Sequence, residues 1–176
     1  MSFKVDDLKS KLPGGGARAN LFKVTLANPP VSGGDLGGDL TSFLVKGASL
    51  PGSTIGQIDV PFRGRQLKVA GDRTFENWTV TVINDNGFDV RNEFEKWMNA
   101  LNAHENGTGE AKPTEYYAQL TVAQLDRQNN PVKTIRIKDA FPVNLSAIDL
   151  SYDTTDSIEE FTVEFAYQYW ESNTTT

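Results

Sequence analysis

The run IEEFTVEFAYQYW, residues 158–170, constrains this chain more than any other stretch. Phe161, Val163, Phe165, Tyr167 and Tyr169 fall on one parity. Thr162, Glu164, Ala166, Gln168 and Trp170 fall on the other. A period of two sends alternate side chains to opposite faces of a strand and is incompatible with a helix. Thirteen residues at roughly 3.3 Å each would span roughly 43 Å, beyond the usual strand of about three to ten residues. Such a strand either bends sharply or extends beyond its own fold to join something larger.

The same alternation recurs in FENWTVTVIN, where Trp78, Val80 and Val82 form the better core face and Thr79 and Thr81 point the other way. Aromatics make up 10% of the 176 residues, and together with many Thr and Val they favour strands. Further strands are predicted at 20–27, 42–48, 115–126 and 132–139, and at 144–153 paired with 158–170 around TTDS. Residues 57–71 read as two extended pieces split at Gly64. Pro61 lacks an amide donor, which puts the first piece at an edge or a bulge. One helix interrupts the pattern: Val90, Phe94, Trp97, Met98 and Leu101 make a single apolar stripe at helical spacing. Asp85, Asn86 or Asp89 could cap it. The expectation is one mainly β domain over 20–171 with one packed helix. A flexible arm over 1–19, with a short helical piece near 5–12, precedes it. A Gly-rich loop insertion at 28–40 interrupts it, and a tail over 172–176 follows.

Chemistry finds little purchase. The absence of cysteine rules out disulfides, thiolate metal sites and a thiol nucleophile. His104 is the single histidine and has no companion for a metal site or a triad. No P-loop, GxGxxG or GxSxG occurs. Glu159 and Glu160 are strand neighbours and point apart, so they cannot share a substrate. No enzyme activity, cofactor, metal or small-molecule substrate is expected. No secretory signal and no transmembrane helix is expected either. A formal charge of −6 argues against a free-standing nucleic-acid binder.

One basic cluster stands out in this acidic chain: Arg63, Arg65, Lys68 and Arg73. It reads either as a solvated strand edge that discourages aberrant pairing or as a contact to carboxylates of another copy. Beside it, Gly71, Asp72 and Arg73 stand where a long strand begins. A glycine there would permit a turn, and Asp72 and Arg73 could hold the corner by charge-assisted hydrogen bonds, within the chain or across a subunit boundary.

The central run RQLKVAGDRTFENWTVTVIND resembles the core motif of the tail tube proteins of T-even-like contractile-tailed phages. RANLFKVTL, the LPG at 50–52, FEKWMN, KPTEY and the terminal FTVEFAYQYWE extend the likeness over residues 18–171. The resemblance implies an antiparallel β-sandwich or barrel with one helix, and a structural, non-enzymatic role. It implies six copies in a ring, strands joined into a ring-wide barrel, and rings stacked into a hollow tube. Sheath contraction would drive that tube through the host envelope, and the genome would pass down its bore. Implied partners are the sheath protein, baseplate, tail terminator and tape measure protein, with assembly in the host cytoplasm into the virion tail. Arg63, Arg65, Lys68, Gly71, Asp72, Arg73, Tyr169 and Trp170 are then candidates for subunit contacts. Thr79, Thr81, Thr162, Glu164 and Gln168 are candidates to line the bore, where an acidic balance would let DNA slide without sticking. A type VI secretion or contractile bacteriocin tube is the alternative with the same architecture.

Overall fold

The computed structural model describes residues 5–12, 16–27 and 39–175. Antiparallel strands dominate, with a few helices. Most of the Gly-rich loop (28–38) and the Pro13-Gly14-Gly15 part of the arm lie outside the described residues.

The centre of the fold is a single long strand, β7 (Pro131–Leu145). Its first part pairs on one side with β6 (Ala118–Leu125), which pairs in turn with β1 (Phe22–Ala27). Along its other side run β8 (Glu160–Ala166) and then β9 (Tyr169–Ser172). Beyond β8 come β5 (Trp78–Ile83) and β2 (Val45–Ala48). All these pairs are antiparallel. Near the middle of β7, Asp139 takes a left-handed φ of 56° and the register with β6 shifts between Ala118 and Leu120. An extra residue at such a point kinks the strand and strengthens its twist. The bend brings the two halves of the sheet onto one core. Val24, Leu26, Leu120, Val122 and Ile137 come from one half; Val80, Val82, Phe161, Val163 and Phe165 come from the other.

The predicted helix is α3 (Asp89–Leu101), and its buried residues are Val90, Glu93, Phe94 and Trp97. The rings of Phe94 and Trp97 lie 6.0 and 6.2 Å from that of Phe165. Trp97 also donates its indole N–H to the Tyr116 carbonyl at 3.0 Å, so its one polar atom is satisfied while the ring is buried. Asp85 anchors the start of α3. Its carboxylate accepts from the backbone N–H groups of Gly87 and Asp89, both at 3.1 Å. Arg91 lies with its guanidinium 5.3 Å over the Phe161 ring and donates to the Ser146 carbonyl at 3.1 Å, tying α3 to the end of β7.

Several sequence expectations need correction. Residues 39–44 form a helix, α2 (Asp39–Leu44), and only Val45–Ala48 is strand. Ser42 donates its hydroxyl to the Val24 carbonyl of β1, a side-chain contact to the sheet edge that strand propensity cannot register. A short helix with proline in its first turn, α4 (Pro113–Tyr116), precedes β6. The exposed helix α1 (Val5–Lys11) agrees with the helical piece expected in the arm. The expected strand over 144–153 is not formed, because β7 runs through Pro142 and ends at Leu145. Pro142 is tolerated there because that part of β7 pairs only with β8. Residues 146–159 leave the sheet as a loop.

The thirteen-residue run bends, as one of its two readings required. β8 and β9 keep the same partner, with Phe141 opposite Ala166 and Lys138 opposite Tyr169. Between them Gln168 holds the join by donating its backbone N–H to the Lys138 carbonyl at 3.2 Å. The bend inverts the alternation. Tyr169, which shares its parity with the buried Phe161, Val163 and Phe165, is exposed, and Trp170, on the other parity, packs partly against the core.

Candidate assembly interface

Strands β3 (Thr54–Phe62) and β4 (Arg65–Thr74) form a two-stranded ribbon that joins no other strand among the described residues. Arg63 and Gly64 close it with φ of 45° and 79°, the positive pair that a two-residue type I′ hairpin demands. The split predicted at Gly64 is therefore this turn. Cross-strand partners share a face. Ile58 faces Val69, Val60 faces Leu67 and Phe62 faces Arg65, while Asp59 faces Lys68 and Pro61 faces Gln66. One side of the ribbon is thus apolar and the other polar. The apolar side is uncovered: Phe62 is 68% exposed, Leu67 62% and Ile58 55%. An isolated hairpin is marginal in water, and a contiguous exposed apolar face marks an interaction surface.

The basic candidates Arg63, Arg65 and Lys68 all lie on this ribbon, at or near its tip, and all are exposed. Arg63 folds back over the Phe62 ring at 5.6 Å. At the base, the register shifts between Ile55 and Gln57. Gly71 serves close approach there and not a turn: a Cβ on it would meet the Gly56 carbonyl oxygen at 3.2 Å. Asp72 and Arg73 are exposed, and neither side chain makes a hydrogen bond or ion pair with another described residue. The intramolecular clamp expected of them is absent.

The polar face of β5 and β8 is a second surface. Thr79 lies opposite Glu164 and Thr81 opposite Thr162, so four candidates predicted from two distant stretches converge on one patch. Glu164 accepts from the Asn77 amide at 2.8 Å, and Lys46 pairs with Glu160 at the other end of the patch. Gln168 is not part of it and lies past the bend, exposed. Tyr167, at that bend, has its ring 5.9 Å from Phe75. Partial burial, and then the charge of Glu76, hold its phenol above the ordinary value and keep it neutral.

A third surface was missed in the sequence. The loop 146–159 exposes Leu150, Tyr152 and Ile158, with Tyr152 fully in solvent. The signal was present as apolar residues set among Asp149, Asp153 and Asp156, but the alternation of NLSAIDLSYD disguised it as a strand. None of these surfaces gathers a nucleophile with a base, and among the described residues no group of three or more His, Asp or Glu could hold a metal.

A bent antiparallel sheet, one helix packed on its core and a long uncovered ribbon is the arrangement to be matched. The family model for phage tail tube proteins aligns with residues 17–173. This chain belongs to the phage tail tube protein family. It is 37% identical to the tail tube protein gp19 of Enterobacteria phage T4 over 169 residues, 95% of this chain and 99% of that one. It is 32% identical to the tail tube protein of Serratia phage KSP90 over 155 residues, 88% of this chain and 87% of that one. In three dimensions it is similar to a chain of the six-fold-symmetrised anti-feeding prophage baseplate, with TM-score 0.66, 15% identity, and 89% and 95% of the two chains covered. It is also similar to a chain of the sheath-tube complex of an extracellular contractile injection system in its extended state, with TM-score 0.62, 13% identity, and 98% and 99% covered. At such identities the two solved chains share a backbone plan with this one and nothing more is carried across.

Proposed function

We propose that the chain is the repeating subunit of the inner tube of a contractile phage tail. It is a structural component of the virion and not an enzyme. Six copies close a ring, rings stack into a hollow tube, the genome passes through the bore, and sheath contraction drives the tube through the host envelope. The observation that carries this reading is the β3–β4 ribbon, whose apolar face has no cover among the described residues. Among the described residues β1, β2 and β9 each pair with a strand on one side only, and a ring-wide barrel would supply further partners. A sandwich completed around a ring explains why this sheet is built open.

Within the tube, Arg63, Arg65, Lys68, Gly71, Asp72, Arg73 and Tyr169 belong to contacts between copies. Trp170 acts from behind, because its indole N–H donates to the Gly52 carbonyl at 3.1 Å and fixes the strand that presents Tyr169. The patch of Thr79, Thr81, Thr162 and Glu164 lines the bore, with Gln168 at its margin. Hydroxyls and a carboxylate offer phosphate no cationic anchor. Tape measure protein and then DNA occupy the bore, the sheath protein surrounds the tube, and baseplate and terminator close its ends. Related folds solved within baseplate and sheath-tube complexes support those partners. The 32–37% identity to phage tube proteins favours a phage tail over a secretion or bacteriocin tube.

Negative-stain electron microscopy of the purified, concentrated protein tests the reading. The expected result is hollow rings or tubes of uniform width. Monomers at every concentration, with and without baseplates to nucleate growth, would overturn it.

A further inference from the structure

Two exposed apolar surfaces among the described residues carry opposite charge. Phe62, at the tip of the ribbon, is exposed beside Arg63 and opposite Arg65. The loop 146–159 surrounds a concavity of about 580 Å³ lined by Ile148, Leu150, Tyr152 and Ile158. Residues 146–160 carry five carboxylates and no lysine or arginine. Glu159 is engaged by the Asn84 amide and Glu160 by Lys46. Asp149, Asp153 and Asp156 have no side-chain partner among the described residues. The ribbon, over 54–74, carries four basic residues against Asp59 and Asp72.

Within one chain the base of the ribbon and the mouth of the loop lie apart. The ribbon enters β5 at Trp78, whereas the loop mouth lies at the Ile83 end, where Ile83 pairs with Glu160 and Asn84 donates to the Glu159 carbonyl at 2.8 Å. The six residues of β5 separate the two by about 20 Å at roughly 3.3 Å each. Head and receptor therefore leave opposite ends of the same pair of strands.

We propose that the loop 146–159 is the docking site for the β3–β4 tip of a second copy of this chain. Phe62 fills the concavity, and Arg63 and Arg65 meet Asp149, Asp153 and Asp156 at its rim. Two different patches make a heterologous contact, which repeats from copy to copy without closing on a pair. Resting on the tube reading above, this contact is the joint between successive rings, and it gives the tube a polarity set by the direction of β5.

The chain has no cysteine, so Gln66→Cys beside the tip combined with Thr155→Cys in the loop supplies the only two thiols and leaves Phe62, Arg63, Arg65 and the loop carboxylates in place. Under mild oxidation the double variant is expected to give a ladder of multimers on a non-reducing gel, collapsed by reductant, while each single variant stops at dimers. Separately, Arg63→Glu with Arg65→Glu should raise the concentration needed for assembly about tenfold or more, and adding Asp153→Arg with Asp156→Arg in the same chain should restore most of it. Circular dichroism confirms that each variant is folded. If the parent forms tubes but the double-cysteine variant yields no ladder, or the loop reversals alone assemble like the parent, the docking site is wrong and the tube reading stands. A parent that forms no tubes contradicts the tube reading itself; the ladder still decides the contact.

Discussion

Strands β5 and β3 are written in the same alphabet and meet opposite fates. In β5 the alternate residues Trp78, Val80 and Val82 are no more than 3% exposed. In β3 the alternate residues Ile58, Val60 and Phe62 are 43–68% exposed. The difference lies in neighbours. β5 lies between β2 and β8 and its apolar face joins the core, whereas among the described residues β3 has only β4. Alternation thus states which face must be covered, and it is silent on whether the cover comes from the same molecule. In the body the cover is intramolecular, and the fold is stable for that reason. In the ribbon the cover we propose is another copy.

Breaking the body should have the largest effect. Phe165→Ala removes the ring on which Trp78, Phe94 and Trp97 all converge and should cost about 3–5 kcal/mol. Urea denaturation of the monomer reads this directly. Phe62→Ala should instead leave the monomer within about 0.5 kcal/mol of the parent while abolishing tubes in the microscope. The reverse pattern would erase the distinction between the two regions.

Glycines sharpen it at the next level. A Cβ on Gly109 would lie 2.0 Å from the Leu101 carbonyl oxygen at the end of α3. Gly109→Ala should therefore destabilise the monomer by about 1–3 kcal/mol, seen as a lower thermal midpoint. Gly71→Val, in the ribbon, meets backbone at 3.2 Å and should distort ribbon register and assembly with little change in that midpoint.

Smaller still is the cap. Asp85→Ala removes the acceptor at the start of α3 and should cost about 1 kcal/mol. The smallest effect is pH-dependent. The Asp126 carboxylate, in the turn before β7, accepts from the backbone N–H groups of Asn130 and Gln128 at 2.8 and 2.7 Å. The Asn130 bond, and then the Gln128 bond, hold its carboxyl below the ordinary 3.8. The folded pKa is depressed, so its contribution is complete above 3.8 and is lost as pH falls through the folded value. Monomer melts from pH 5 to pH 2 should lose part of their acid dependence in Asp126→Asn.

Local periodicity carried the strands β1, β5, β6 and β8, the helix α3 and the turn at Gly64, because each is specified by neighbours within one period. Features that depend on distant residues were hidden. Ser42 turns helical through a contact to Val24, and the inversion at Gln168 depends on Lys138. Of the surfaces, the patch of Thr79, Thr81, Thr162 and Glu164 was legible because strand parity fixes it. The Asp72–Arg73 corner was read as held within the chain or across a subunit boundary, and the first of these is not formed among the described residues. Adjacent opposite charges in sequence suggest a pair, yet on a strand they point apart. The loop 146–159 was lost because its apolar spacing imitates a strand, while among the described residues only its two ends bond to the sheet.

The central claim is that the ribbon is completed only by other copies. Amide hydrogen exchange, measured peptide by peptide on monomer and on assembled tube, tests it most directly. Peptides from β5, β8 and α3 should exchange at similar rates in both states, and those covering 54–74 should slow by at least about tenfold on assembly. Equal exchange of the ribbon in monomer and tube would contradict the account.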